Sequence, residues 1–515
     1  MSRNNHDDSA AAKVTDPERV HLILPEAPRH GSESEPDPEP EPAPAPLRKR
    51  LVLVAACMLL ILLLELGAYL ATIPLTQVLE ENICRAFHPS PTPTPAPAPA
   101  PSDPRCKGND VQTELSLIRG WQSTLDYIPS LLTAVPYGFL ADRGGRELVL
   151  RLSLIGITLA SGFVVLVCSL PEVFPPRATW ASAIFTFIGG GPAVFNAMVF
   201  TIAADIVSEE QRSTIFSYLA AAVIGGELIA SPLVYLVMER SLWLPIYLGM
   251  GCLVVATIIP VFLAETLSRQ PRRQPPESQQ PLVSWLETVR QETKKLDEAM
   301  RWLTWGNWKV SVLLCTFLLT MLGRFAQEIL LQYVTRRYHW SWSKASLLLS
   351  IRAALNLALL LIIIPSASHV LVHWRSHSVQ RSNLLLAWAS AMLLAAGAFV
   401  IGLAETSLAM ACGLAVFALG AGYNSLVRSL LASLVEQRHA GMLYTAVSIF
   451  ETAGVLVAGP LLAFCFRTGL DWGGPWIGLP YLAAGCLFAV AAAAVGFMGL
   501  AGRTRDDWRR GRGIA

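Results

Sequence analysis

The feature that most limits the folding of this 515-residue chain is a series of apolar stretches, each long enough to cross a lipid bilayer. An α-helix needs about 20 mostly apolar residues to span a hydrocarbon core about 30 Å thick. Twelve stretches reach this length, and a polar interval separates the first six from the last six. They run near residues 51–78, 116–141, 148–170, 179–204, 214–238, 244–264, 309–334, 345–365, 383–404, 407–432, 441–466 and 478–501. The sequence therefore predicts an all-α membrane protein with twelve transmembrane helices in two six-helix bundles.

The composition agrees with a lipid-embedded chain. Hydrophobic residues make up 53% of the sequence and charged residues only 15%, whereas an average soluble protein has about 25% charged residues. A soluble fold of this length could not bury so many apolar side chains, so lipid must cover part of them. The net charge of +2 indicates no nucleic-acid partner.

The distribution of basic residues predicts the orientation. Arg48, Lys49 and Arg50 precede the first apolar stretch, and basic residues concentrate on the cytoplasmic side of membrane proteins. Both termini are therefore expected in the cytoplasm, with the plasma membrane as the first expectation and the vacuolar membrane as the second. The predicted segments are a disordered, acidic, Pro-rich cytoplasmic tail (1–50), an N-terminal six-helix half (51–265), a cytoplasmic central loop with an amphipathic helix (266–308), a C-terminal six-helix half (309–502) and a basic cytoplasmic tail (503–515).

Two of the nine cysteines differ from the rest in their position. Seven lie inside apolar stretches, where a thiol acts as a small hydrophobic group. Cys84 and Cys106 instead flank a Pro-rich loop that is predicted outside the membrane. They can form a disulfide in an oxidising compartment or remain free, and the sequence leaves both alternatives open. No Cys/His cluster predicts a metal site, and no cofactor is expected.

The two halves repeat one another. Glu210-Gln-Arg212 follows the fourth stretch, and Glu436-Gln-Arg438 follows the tenth. An Ala-x-Pro-Leu sequence comes some twenty residues later in both halves, at Pro232 and Pro460. Matching positions in both halves indicate an internal duplication. Repeated six-helix halves are typical of transporters that rock about a site near the membrane midplane.

The loop after the second stretch carries a family resemblance. Gly138-x-Leu-Ala-Asp142-Arg143-x-Gly145-Arg146 resembles the signature loop of the major facilitator superfamily, in the position where that family has it. With the layout of two six-helix halves, the resemblance covers residues 51–502. It implies that Asp142 faces a helix N-terminus of the opposite half and that the arginines pair with Asp205. Gly138 is expected to allow close helix packing.

Some positions depart from the pattern of that family. Glu147 stands where the signature ends in a basic residue, and Phe185 lies near the position of a buried arginine in the fourth span. The fifth span lacks the Gly-Pro-rich pattern of drug/proton antiporters, which favours symport. The Pro-rich outer loop, by contrast, resembles transporters of filamentous fungi, which favours export.

Ionisable residues in the middle of apolar stretches are the candidate functional residues. Such side chains are costly to place in a membrane, so they usually face a cavity. The candidates for the proton and substrate cavity are Glu65, Glu227, Arg324, Glu328, Arg352 and Glu451. The third, sixth, ninth and twelfth stretches carry no such group in their interiors. Those four spans are therefore predicted to face lipid.

The candidates have different expected roles. Arg324 and Glu328 either neutralise each other on one helix face or face the cavity. Glu65, Glu227 and Glu451 have no oppositely charged neighbour on their own helices. Since desolvation favours the neutral form of a carboxyl group, at least one of the three is predicted to carry a coupling proton. Arg352 or Arg324 is predicted to attract an anionic part of the solute.

The predicted function is secondary active transport of a small organic solute by alternating access, coupled to protons. One alternative is a proton-antiport pump that exports a secondary metabolite or toxin, and a second is a non-transporting nutrient sensor. An enzyme is not expected, because the sequence has no catalytic triad motif or phosphate-binding glycine loop. The expected partners are the solute, protons and lipid, and the protein is expected to be a monomer without nucleic acid.

Overall fold

The computed structural model describes residues 47–88, 104–207, 209–267, 308–371, 379–435 and 440–511. Nearly all of the described backbone is helical. Residues 1–46 of the predicted acidic tail, most of the central loop and residues 512–515 of the predicted basic tail lie outside the described residues. Residues 47–50 and 503–511, predicted as parts of the two tails, instead belong to the first and the last helix. The amphipathic helix predicted between residues 266 and 308 therefore stays a prediction.

The described helices form twelve consecutive rods, numbered here as spans 1 to 12. The first six are span 1, Leu47–Phe87; span 2, Asn109–Gly144; span 3, Arg146–Ser169; span 4, Ser182–Thr186 with Gly191–Ile206; span 5, Glu209–Met238; and span 6, Trp243–Leu267. The second six are span 7, Trp308–Arg324 with Leu330–Arg337; span 8, Trp342–Ala358 with Ile364–His369; span 9, Val379–Leu403; span 10, Ser407–Leu419 with Tyr423–Leu434; span 11, Ala440–Trp472; and span 12, Leu479–Gly511.

Eleven helical rods among the described residues are long and apolar enough to cross a membrane. The twelfth rod is span 2, whose 36-residue helix has ample length but carries more polar side chains. Several of these polar side chains face the central cavity, which explains the difference. The fold is the predicted one, an all-α membrane protein of two six-helix bundles.

Three glycines interrupt the helix of span 4, and the interrupted backbone packs against spans 2 and 3. Gly189, Gly190 and Gly191 have positive φ angles of 81°, 77° and 66°, which side chains with a Cβ rarely adopt. The freed carbonyl groups are satisfied locally, because Ser153 donates to Gly189 O and Ser130 donates to Gly190 O at 2.8 Å. Irregular backbone inside a membrane protein requires such internal partners.

The two halves touch mainly along two pairs of spans, 2 with 11 and 5 with 8. In the first pair the backbones meet directly, since a Cβ added to Gly120 would lie 2.6 Å from Gly459 O. In the second pair Ser346 donates to Ser231 O at 3.2 Å. These contacts define the seam beside which the cavity lies.

The spans without interior charges turn large apolar side chains outwards. Val261 of span 6 and Phe497 of span 12 are 55% and 65% exposed. Apolar surface of this extent is normal only when lipid or another protein covers it. The predicted lipid-facing role of spans 3, 6, 9 and 12 fits this arrangement.

Candidate transport cavity and gating loop

A cavity lies between the two halves, walled by spans 1, 2, 7, 8 and 11. Its volume, measured as the space open to water-sized molecules, is about 100 Å³. Its wall combines apolar side chains with several polar and charged ones. The polar and charged lining residues are Tyr69, Thr72, Thr76, Ser116, Arg119, Ser123, Gln327, Glu328, Gln332, Trp342 and Arg352.

An ion pair joins the halves at the cavity wall. Glu227 of span 5 is 8% exposed, and it accepts hydrogen bonds from Arg352 of span 8, from Nε at 3.0 Å and also from Nη2. Arg352 Nη1 reaches Gln327 Oε1 at 3.4 Å. A buried ion pair gains little stability over apolar packing, but breaking one by removing a partner is costly. This arrangement therefore suits a contact that controls how the halves associate.

Glu65 lies beside this ion pair. A Cβ added to Gly226 would be 2.6 Å from the Cβ of Glu65, so span 1 touches span 5 next to Glu227. Glu65 is half-buried, and within the described residues it makes no hydrogen bond or ion pair. Two carboxyl groups thus stand beside one guanidinium group. One negative charge is in excess when both are ionised, and binding of a proton removes it.

Glu451 has a different surrounding. Both of its carboxylate oxygens accept from Arg428 Nη2, at 2.6 and 2.7 Å. Both residues belong to the second half, on spans 11 and 10. Glu451 has no oppositely charged neighbour on its own helix, and the partner comes from the adjacent helix. Glu451 is thereby a weaker candidate for the coupling proton than Glu65, which has no such partner among the described residues.

Arg324 and Glu328 form no ion pair within the described structure, so the interpretation that they neutralise each other was wrong. The α-helix ends at Arg324, and residues 325–329 continue as a tighter 3-10 turn. The i,i+4 geometry of an α-helix is lost across this turn. Both side chains are exposed, and Glu328 lines the cavity.

Arg119 is a cavity residue that was not among the sequence candidates. It lies on span 2, lines the cavity and makes no side-chain ion pair within the described residues. Arg119 lies near the start of the apolar stretch at 116–141, a position that is also typical of arginines at the membrane interface. The spacing of Ser116, Gly120 and Ser123 around it is the signal that could have identified a polar helix face.

The signature loop forms a compact turn with span 4. Gly145 joins spans 2 and 3 with a φ of 99°, which favours glycine. Arg146 forms an ion pair with Asp205 and donates to Thr201 O at 3.0 Å. Arg143 lies 5.0 Å from the centroid of the Phe139 ring. The structure thus brings Arg146 and Asp205 together, while the side chain of Asp142 lies outside the described part.

Two neighbouring positions differ from expectation. A Cβ on Gly138 would meet nothing within 4 Å among the described residues, so the predicted close packing at Gly138 is wrong in this conformation. Glu147 forms an ion pair with Arg151 on the next turn of span 3. The acidic residue at the end of the signature is therefore neutralised within its own helix.

Cys84 and Cys106 form a disulfide between the end of span 1 and the turn before span 2. We call the side of the protein that carries this bond the disulfide face and the opposite side, with Gly138 to Arg146, the loop face. The described part of the chain contains no group of three or more His, Cys, Asp or Glu side chains placed to hold a metal ion.

Comparisons with known proteins identify the family. The Major Facilitator Superfamily profile matches residues 112–460. The chain is 31% identical over 439 residues to the MFS efflux pump atnC of Emericella nidulans, covering 84% of this chain and 85% of the relative. It is 31% identical over 444 residues to the efflux pump ustT of Aspergillus flavus, with coverages of 84% and 85%.

Solved structures agree on the fold. A D-xylose–proton symporter superposes with a TM-score of 0.59 at 15% identity, covering 86% of this chain and 97% of that one. A peptide transporter superposes with a TM-score of 0.55 at 13% identity, with coverages of 87% and 94%. This chain belongs to the Major Facilitator Superfamily, as a multi-pass membrane transporter of the filamentous-fungal type.

Proposed function

We propose that this transporter exports a small organic metabolite in exchange for protons, by alternating access to the central cavity. The observation that carries the proposal is the group of Glu65, Glu227 and Arg352 at the contact between the halves. The direction is supported by the relatives atnC and ustT, both named efflux pumps.

Antiport requires a group that holds either the proton or the solute, but not both. Glu65 suits this role because it has no cationic partner among the described residues. With a proton bound it is neutral, and without one it can accept a hydrogen bond or a cationic group from the solute. Protonation of Glu227 in turn removes the charge that holds Arg352, so proton binding weakens a tie between the halves.

Arg119 and Arg324 complete the proposed solute site. Neither side chain forms an ion pair within the described residues, and Arg119 lines the cavity. A guanidinium group binds carboxylates and other planar anions with two parallel hydrogen bonds. The proposed solute therefore carries an anionic or strongly accepting group for Arg119 and Arg324, and a donor group for Glu65.

We further propose that the disulfide face lies outside the cytoplasm, since disulfides persist in oxidising compartments. This orientation agrees with the basic residues Arg48, Lys49 and Arg50 at the start of span 1 and places the signature loop in the cytoplasm. The proposed location is the plasma membrane, where an exporter reaches the medium. A single chain contains the whole cavity, so the proposed working unit is a monomer.

Gene deletion in the source organism tests the direction and does not require the solute to be identified first. Metabolites of the cells and of the medium are compared by mass spectrometry between the parent and the deletion strain. Export predicts at least one metabolite that accumulates in the deleted cells and disappears from their medium, called the retained metabolite below. A compound that deleted cells fail to take up from the medium would instead support import and overturn the proposal.

A further inference from the structure

A buried carboxylate lies on the disulfide face, away from the cavity charges described above. Glu80 of span 1 is 3% exposed. Its carboxylate oxygens accept from Lys107 Nζ at 2.7 and 2.8 Å, from Trp342 Nε1 at 2.8 Å and from Gln112 Nε2. The carboxylate of Glu80 thus accepts four hydrogen bonds, all from residues outside its own helix. Such complete satisfaction is what a buried charge requires.

The partners of Glu80 come from both halves. Lys107 and Gln112 belong to the first half, whereas Trp342 opens span 8 in the second half. Gln332 of span 7 extends the network by donating to Gln112 O at 2.7 Å and to Gln112 Oε1 at 3.0 Å. Opening of this face must therefore separate Trp342 and Gln332 from the first half.

The disulfide positions the ammonium group of Lys107 next to the carboxylate of Glu80. Cys84 follows Glu80 by one helical turn, and Cys106 immediately precedes Lys107. The bond therefore fixes the turn at residues 104–107 against the end of span 1. Lys107 also lies 5.3 Å from the centroid of the Trp342 ring, so the same ammonium group contacts both halves.

We propose that Glu80, Lys107 and Trp342 form a latch that holds the disulfide face closed, and that the Cys84–Cys106 bond keeps the latch assembled. Opening breaks the bonds to Trp342 and Gln332 but leaves Glu80 paired with Lys107 and Gln112. The first half thus keeps a satisfied carboxylate in both states, which makes the latch reversible. This inference rests on the proposed alternating access, for which it supplies a gate.

The latch predicts which changes open the face. Removal of Lys107 leaves a buried carboxylate without its cation in the closed state, whereas water can hydrate Glu80 in the open state. Removing one partner of a buried pair is strongly destabilising, so Lys107→Met favours the open state. Adding Glu80→Gln removes the stranded charge, and the double variant returns towards the closed state.

The distance across the disulfide face is the measurement. Spin labels on Glu172→Cys and Glu405→Cys, both exposed loop positions of opposite halves, report this distance by double electron–electron resonance. The seven free cysteines are replaced by alanine, and the purified protein is reconstituted in nanodiscs. Lys107→Met, Trp342→Phe and the pair Cys84→Ser with Cys106→Ser are each expected to raise the long-distance population about tenfold or more.

Matched controls separate the latch from general weakening of this face. Trp180→Phe removes an indole hydrogen bond of 3.0 Å to Ile118 O, and Arg177→Met removes the ion pair with Glu114. Both contacts lie on the disulfide face but within the first half, so neither variant is expected to change the distance.

Two results would overturn the latch. One is an unchanged ratio of short and long distances in Lys107→Met, which leaves alternating access standing if the wild-type protein shows both distances. The other is failure of Glu80→Gln to restore the short distance to the Lys107→Met protein. Gel filtration of each variant confirms that it is folded before its distance is interpreted.

Discussion

At the residue scale, the proposed proton site rests on a difference between Glu65 and Glu451. Both are carboxylates in the middle of a span, and the sequence offers no reason to separate them. Glu451 is held by Arg428, whereas Glu65 adds a second carboxyl group next to Glu227 and its single arginine. Arg428 balances the charge of Glu451, whereas two carboxyl groups share Arg352, so the proposal places the change of charge in the group around Glu65.

The variant Glu65→Gln is predicted to remove the response of transport to a pH gradient. Its amide cannot bind and release the proton, although it keeps the size of the side chain. The measurement is export of the retained metabolite by vesicles with and without an imposed gradient. Glu451→Gln is the matched variant, and its transport is expected to keep the dependence. Loss of the pH response in Glu451→Gln, with the response intact in Glu65→Gln, would reverse the assignment.

The variant Arg119→Gln is predicted to weaken solute binding. Hydrogen bonds to a charged group contribute about 1.5–3 kcal/mol, so KM for the retained metabolite should rise about tenfold or more. Arg177→Gln is the control, because Arg177 is exposed and lies outside the cavity. An unchanged KM in Arg119→Gln vesicles would show that this arginine does not contact the solute.

At the element scale, the close contact between spans 2 and 11 sets how the halves associate. Gly120 and Gly459 allow their backbones to touch, and Thr124 donates across the same contact to Leu456 O at 3.0 Å. Small residues at such crossings are common in membrane proteins, since close packing supplies the attraction between helices there. A larger side chain at either glycine would force the two spans apart.

The variant Gly120→Val is predicted to hold the halves apart and to reduce export strongly. Its Cβ alone would lie 2.6 Å from Gly459 O, and the valine methyl groups add further overlap. Gly251→Ala on span 6 is the control, because its Cβ would meet nothing within 4 Å. Wild-type export by Gly120→Val protein would show that this contact does not form during transport.

The signature loop supplies a further prediction on the same scale. Arg146→Gln and Asp205→Asn both remove the ion pair between these two residues. Each variant is expected to slow transport while the protein remains folded. Because the two side chains contact each other, the double variant should be no slower than the more damaging single variant. Fully additive losses in vesicle export rates would show that the two residues act independently.

The sequence predicts the elements better than their contacts. Apolar length alone identifies the spans, since a membrane admits few other backbone structures. The pairing of Glu227 with Arg352, or of Glu451 with Arg428, depends on which helices lie side by side, and the chain order does not reveal this. The turn after Arg324 is hidden from the sequence because residues 325–329 contain no Gly or Pro to mark the end of an α-helix.

At the scale of the whole molecule, the described conformation is closed on the disulfide face. Hydrogen bonds between the halves run from Asn109 and Leu470 near that face, through Glu80 and Trp342, to Glu227 and Arg352 beside the cavity. In a transporter with alternating access, these bonds must break in turn as the face opens. The latch at the disulfide face and the proposed proton site beside the cavity would then both control the opening of the disulfide face.

The most direct test of proton-coupled export combines the gene deletion with complementation. The deletion strain receives the wild-type gene, the Glu65→Gln gene or the Glu451→Gln gene, and the retained metabolite is measured in cells and medium by mass spectrometry. Proton exchange at Glu65 predicts that the wild-type and Glu451→Gln genes restore the metabolite to the medium, whereas the Glu65→Gln gene leaves it in the cells. Full restoration by the Glu65→Gln gene, at equal protein levels in the membrane, would contradict this mechanism.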